Sequence, residues 1–164
     1  MQLILNEIDH AIDSGLYYLG LASALTLPDI CAALESANGQ TTKSLFIEWY
    51  DKNMATRFHH LTANDFYSLR CGVIHQGKMG HAKMQYSRVL FTIPNSQNNI
   101  FHDNVINDAL NLDVTIFCRD IVDCVKTWLI ANSNHPNIIK NLPLTVQPRP
   151  QGLAPYMVGM PLIA

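Results

Sequence analysis

The stretch ALNLDVTIFCRDIVDCVKTWLIA, residues 109–131, decides how this chain is read. Within it Leu110, Val114, Phe117, Ile121, Val125 and Trp128 recur at steps of three and four. That is the period of a helix with one buried face, and it predicts one long helix over about 109–131. Toward the N-terminus, Leu5, Ile8, Ile12, Leu16 and Leu19 step in the same way, so a first helix is expected over about 3–25. Its second half (Leu16, Tyr17, Tyr18, Leu19, Leu21) is apolar nearly all round, which predicts a course through the centre of the core. Pro28 suits a helix first turn, and a short helix over 29–37 follows, stopped by Asn38-Gly39. A third helix over about 42–54 carries Leu45, Phe46 and Trp49 on one side. Thr62-x-x-Asp65 has the form of a capping box. The helix it opens passes through Phe66, Leu69, Val73 and Ile74 and ends at Gly77, a natural C-terminal stop.

Residues 86–93 alternate and are β-branched before Pro94-Asn95-Ser96, the mark of a strand, which is expected to pair in a hairpin with 99–102. Five prolines fall within 143–161, which predicts an irregular tail draped over the surface. The expected fold is therefore all-α: a helical bundle of about five helices with a small β-hairpin insertion and an irregular Pro-rich C-terminal tail. A single helical domain spans 1–142 and the tail 143–164. A mixed α+β domain is the alternative.

At 164 residues and 48% apolar, the chain is long enough for one domain with its own core and too apolar for disorder. Charged residues make up only 15%, against a usual ~25%. A surface so poor in charge predicts cover by a partner or a second copy. The formal net charge is −2, so no global basic character marks a nucleic-acid binder. The distribution is uneven, however. Residues 66–102 contain no acid while Arg70, Lys78, Lys83 and Arg88 give +4, and residues 124–164 contain no acid while Lys126, Lys140 and Arg149 give +3. If these windows meet, they make one basic face on an otherwise acidic protein. Cys31, Cys71, Cys118 and Cys124 show neither a C-x-x-C pair nor a zinc spacing. The N-terminus lacks the basic region of a signal peptide, and the nearly uncharged residues 14–27 fall short of the ~20 needed to cross a bilayer. A soluble cytoplasmic protein with reduced thiols and no membrane association is expected.

Few patterns carry chemistry. Gly77-Lys78-Met79-Gly80 lacks the spacing and Ser/Thr of a phosphate loop, and neither G-x-S-x-G nor H-E-x-x-H occurs. His59-His60 are adjacent, so their side chains point apart and are expected on a surface loop. No carboxylate cluster or Cys/His set has metal spacing, and no cofactor is implied. Cys71 and His75 are four apart on a helix, the spacing of a thiol–imidazole pair, which keeps a thiol enzyme among the readings. What remains is YSLRCGVIHQG, residues 67–77. Here Arg70 and His75 combine a permanent cation with a titratable imidazole, inside the first acid-free window and near the end of a capped helix. A purely structural reading stays open: Arg70 could pair with Asp65 or another acid, and His75 could donate to a carbonyl at its own helix end. On a regular helix two side chains five residues apart diverge by about 140°.

The Arg-x4-His spacing resembles the Arg-x4–6-His signature of the HEPN superfamily, the helical domains of many prokaryotic toxin and phage-defence ribonucleases. The resemblance covers about 1–131 as a fold and about 65–77 as a motif. Active members usually carry Asn, His or Asp directly after the arginine, and this chain has Cys71 there, expected as a packing residue. The resemblance implies a metal-independent endoribonuclease in a toxin–antitoxin or phage-defence setting. It implies a homodimer with its two motifs face to face, and an antitoxin or other protein as a possible partner. In that reading Arg70 and His75 are catalytic: Arg70 holds the phosphorane charge and His75 carries a proton. The cations of the same window, Lys78, Lys83 and Arg88, are the candidate RNA-binding residues. The other reading is a catalytically silent module on the same fold that binds RNA, nucleotide or a partner protein.

Overall fold

The computed structural model describes residues 1–79, 84–96 and 99–164. In chain order the helices and strands are α1 (Gln2–Asp13), α2 (Tyr17–Glu35), α3 (Lys43–Asn53), α4 (Ala63–Gln76), β1 (Arg88–Thr92), β2 (Asn104–Ile106), β3 (Ala109–Asp113), α5 (Val114–Ala131) and α6 (Pro136–Asn141). A 3-10 turn (Leu142–Leu144) and four two-residue strands follow: β4 (Pro148–Arg149), β5 (Gly152–Leu153), β6 (Met157–Val158) and β7 (Leu162–Ile163). With 53% helix in six helices and 13% strand, the fold is helical with small sheets. This corrects the all-α bundle of five helices expected from periodicity.

The largest departure falls in residues 109–131, which are not one helix. Asp113 ends β3 and caps α5, its Oδ1 accepting the Thr115 N–H at 2.9 Å and the Ile116 N–H at 3.0 Å. Such a cap sets the helix start after residue 113. Ahead of it, Leu110 and Leu112 alternate with Asn111 and Asp113, a period of two, and every residue of β3 is buried. Asn107 and Asp108 have φ of +50° and +61°, the two positive-φ residues a tight hairpin loop needs. They join β2 to β3 with Ile106 opposite Ala109. The hairpin therefore lies at 104–113 and not at 86–102. Strand β1 lies parallel to β3 on its other side, with Arg88 opposite Ala109 and Thr92 opposite Asp113. Phe91 of β1 meets Phe117 of α5 edge-on at 5.1 Å, and Phe117 stacks on Phe66 of α4 at 5.7 Å. Sheet and helices thus share one aromatic core.

The first expected helix also divides. Gly15 adopts φ +74°, and the Leu16 N–H donates to the Ala11 carbonyl at 2.8 Å, the closing bond of a Schellman stop. The break turns Leu16, Tyr18 and Leu19 outward, each more than half exposed, instead of into the core. Beyond the break, α2 runs through Pro28 to Glu35, so residues 29–35 are its last seven and not a separate helix, and it stops at Ser36 ahead of Asn38-Gly39. Helix α2 packs against α1, α3, α4, α5 and α6 and is the centre of the fold. By length and composition alone it could cross a bilayer, and half of it is buried inside the protein.

Helix α4 forms as its ends dictate. Thr62 Oγ1 accepts the Asp65 N–H at 3.1 Å, Asp65 Oδ2 accepts the Thr62 N–H at 3.3 Å, and Gly77 stops the helix at φ +62°. The Pro-rich tail is not irregular. Pro148 and Arg149 pair with Ile163 and Leu162, and Gly152 and Leu153 pair with Val158 and Met157, making one antiparallel ribbon. Its base is closed by mutual hydrogen bonds between Gln147 and Ala164 at 2.8 and 3.0 Å. Prolines 150, 155 and 161 fall between the paired residues, where no ladder N–H is required.

Candidate functional site

Helix α4 packs on α2 and α3, and this contact sets Arg70 against an acid of α2. Arg70 Nε lies 2.8 Å from Oδ2 of Asp29, the two side chains being 19% and 14% exposed. The N–H is not aimed at that oxygen, so the contact is a close ion pair without an aligned hydrogen bond. Burial pushes the Asp29 carboxyl above its ordinary pKa, and Arg70 reverses this only in part. For Arg70, burial pulls the pKa down, but Asp29 and the Cys71 thiol outweigh it and the net shift is upward. The two shifts point opposite ways about the pair, and the acid's is the informative one, because guanidinium stays charged at any working pH. The pair secures the arginine at the expense of the carboxylate.

The second contact joins the motif. Arg70 Nη1 lies 3.1 Å from His75 Nε2 and 3.8 Å from Cys71 Sγ. Guanidinium can only donate, so in this contact Nε2 takes the accepting role. The divergence expected on a regular helix is overcome at the helix end. The Lys78 N–H closes on the Gly72 carbonyl, six residues back, at 3.0 Å, one residue wider than the usual Schellman bond. The widened turn and the long arginine side chain together let the two groups meet.

Tyr67 forms the floor of the site. Its ring centroid is 5.9 Å from Arg70 Cζ and 5.3 Å from Lys43 Nζ, within cation–π range. Burial, and then the Cys71 thiol beside it, raise the Tyr67 pKa, so its hydroxyl stays protonated. Lys43 and Arg70 thus share one aromatic ring, with His75 on Arg70 and Asp29 as the acid anchor. Two cations on one ring favour an anion, and guanidinium grips phosphate at two points once Nη1 is released from His75 and Cys71.

Of the sequence candidates, Arg70 and His75 are brought together, and exposed Lys78 follows them directly beyond the helix end. Arg88 is exposed at the start of β1, opposite Ala109, and among the described residues it makes no contact with Arg70 or His75. Lys83 lies outside the described residues. The second basic window does not extend the first, since Lys126 pairs with Asp9 at 3.2 Å and Lys140 donates to the Ala37 carbonyl at 3.1 Å. Asp65, considered above as a partner of Arg70, is taken up by Thr62 and by the Gln85 N–H at 3.1 Å. The Cys71 sulfur is partly buried, with contacts to Arg70 and Tyr67. Among the described residues no three His, Cys, Asp or Glu side chains are grouped so as to hold a metal ion. Sequence reasoning missed Lys43, Tyr67 and Asp29. For Asp29 a signal existed: Asp29 and Glu35 are the only charged residues of α2, and an acid inside an apolar helix needs a partner. Compared with protein-family models, curated proteins and solved structures, the chain matches none.

Proposed function

We propose that this chain is a HEPN-type protein and acts as a metal-independent endoribonuclease in the cytoplasm, in a toxin–antitoxin or phage-defence setting. The observation that carries the reading is the meeting of Arg70 and His75 at 3.1 Å, on a helix whose regular geometry would hold them apart. An RNA phosphate that takes Nη1 from His75 leaves the Nε2 lone pair open. Nε2 then accepts the proton of the 2′-hydroxyl as that oxygen attacks phosphorus. The bond from phosphorus to the 5′-oxygen breaks, and a second acid protonates the leaving oxygen. Arg70, anchored through Nε by Asp29, holds the phosphorane charge. The second acid is the His75 of another copy, which takes up a proton on Nε2 once its own Arg70 turns to the phosphate, so the proposed unit is a homodimer with two α4 ends face to face. Lys78 binds a flanking phosphate, and an antitoxin-type partner would cover the same face.

A second reading, a silent module that binds RNA, nucleotide or a protein, is favoured by one observation. Asp29 and His75 already occupy Nε and Nη1, and Cys71 stands where active relatives of the motif carry a polar side chain.

The test is cleavage of single-stranded RNA in EDTA, read as 2′,3′-cyclic phosphate and 5′-hydroxyl ends. His75→Ala should lower the rate by about 10²–10⁴, the usual loss for a proton carrier. Arg70→Ala should cost a similar factor, and Arg70→Lys should rescue poorly because the forked geometry is gone. A folded wild-type protein that cleaves no RNA, or a His75→Ala variant that cleaves as fast, overturns the nuclease reading.

A further inference from the structure

The C-terminal ribbon is built unlike the rest of the molecule. Between Leu144 and Ile163 seven apolar side chains are at least half exposed, Tyr156 at 85% and Val158 at 72% among them. Met157 and Val158 are neighbours on one strand and both are exposed. Successive strand residues point to opposite faces, so both faces of the ribbon are open. A two-stranded ribbon is marginal in water unless something covers it, and its unpaired edges are open to further pairing. Arg149 is the one charged side chain in residues 143–164.

At the base of the ribbon lies a groove of about 820 Å³, lined by Met1, Leu3, Leu129, Ile139, Leu142 and Val146 among others, and none of its lining side chains is charged. We infer that the ribbon is an exchange arm: in a homodimer the arm of each copy lies in the groove of the other. The two surfaces match in kind, mainly apolar with Arg149 the one charged side chain between them, and a reciprocal exchange closes with two-fold symmetry instead of propagating. The areas match as well. The exposed apolar side chains of one arm amount to on the order of 500 Å². A groove covers one face of an arm, so two arms with the two grooves that receive them remove roughly 1,000 Å² from water, about the least a specific interface needs. This interface involves α1, α5, α6 and the arm, not the end of α4, and it does not rest on the nuclease reading.

The experiment is sedimentation velocity of the full chain at micromolar concentration, with an arm variant (Val158→Glu with Ile163→Glu) and a groove variant (Ile139→Glu). All three positions are well exposed, so the substitutions leave the folded core alone, which far-UV circular dichroism checks. Each variant should sediment one association step below the wild type: as a monomer, or as the α4-paired dimer alone where those ends also meet. An equimolar mixture of the two variants should recover a heterodimer, because the mixed pair keeps one intact arm facing one intact groove. That recovery separates exchange from a general loss of stickiness. A wild type that stays monomeric, variants that keep the wild-type mass, or a mixture that recovers none of the lost association overturns the inference.

Discussion

Replacing Asp29 by asparagine tests whether the buried pair serves the fold or the site. The substitution keeps the shape and an accepting oxygen but removes the charge that faces Arg70 Nε at 2.8 Å. Breaking a fully buried ion pair typically costs about 3–5 kcal/mol, because a charge is left uncompensated. Two features argue for much less here. The side chains are 19% and 14% exposed, so water reaches part of both. Burial also raises the Asp29 pKa despite Arg70, which means that the ionised carboxylate is less welcome in the fold than in the unfolded chain. A carboxyl with a raised folded pKa adds stability below its unfolded pKa, and this is lost as pH rises through the folded value. The amide of the Asp29→Asn variant mimics the protonated acid at every pH, so the variant should gain on the wild type as pH rises from about 4 to about 7. The net change at neutral pH should stay within about 1 kcal/mol, or roughly 2–4 °C in Tm for a chain of this size. Cleavage or RNA binding should nevertheless fall at least about tenfold, because Arg70 loses its anchor. Thermal melts at several pH values, run beside the RNA assay, decide the matter. A loss of about 3 kcal/mol or more at neutral pH that disappears in acid would show that the pair holds the fold together and would refute this account.

Asp113→Ala removes the cap that accepts two N–H groups of α5, and should lower stability by about 1–2 kcal/mol. A chemical-denaturation midpoint that does not move would return the 109–131 stretch to a helix reading. Gly152→Ala drives a Cβ into the Met157 carbonyl oxygen at a φ of +82°, so the arm should open and the dimer dissociate while the helical core melts unchanged. Hydrogen exchange that quickens in residues 147–164 alone is the expected readout. Alkylation of the native protein should reach the partly buried Cys71 and Cys124 before Cys31 and Cys118. Burial pushes the Cys118 thiol up to about 12, leaving little thiolate to react. Mass mapping that finds Cys118 modified first would contradict the core packing described here.

The parts of the fold that are legible in the sequence are those fixed within a few residues. Helix α4 is the clear case: Thr62, Asp65 and Gly77 each act on backbone groups three to six positions away, and they act as their residue types require. The 109–131 stretch misleads because Leu110 and Val114 satisfy the helical period while Leu110 and Leu112 satisfy the strand period. Local chemistry separates the two, since Asn107-Asp108 makes a turn and Asp113 makes a cap, and both signals stand in plain sight. Gly15 likewise announces the end of α1. The ribbon is beyond such reading, because prolines argue against a helix but do not say which residues pair across a turn.

Pro28 is the residue that hides fold and site together. Placed in a first turn, it would make Asp29 a helix-start acid, favoured by the helix dipole and facing water. In the structure α2 runs on through Pro28, enclosed by five other helices whose packing offsets the missing backbone bond. Asp29 then sits mid-helix, where no free N–H groups or dipole end can stabilise its charge. The compensation has to come from another element, and Arg70 of α4 supplies it. The most buried helix of the fold therefore fixes the position of the arginine, and the arginine in turn meets the histidine at the helix end. A change anywhere in the packing of α2 against α4 should be felt at that meeting point before it is felt in the melting temperature.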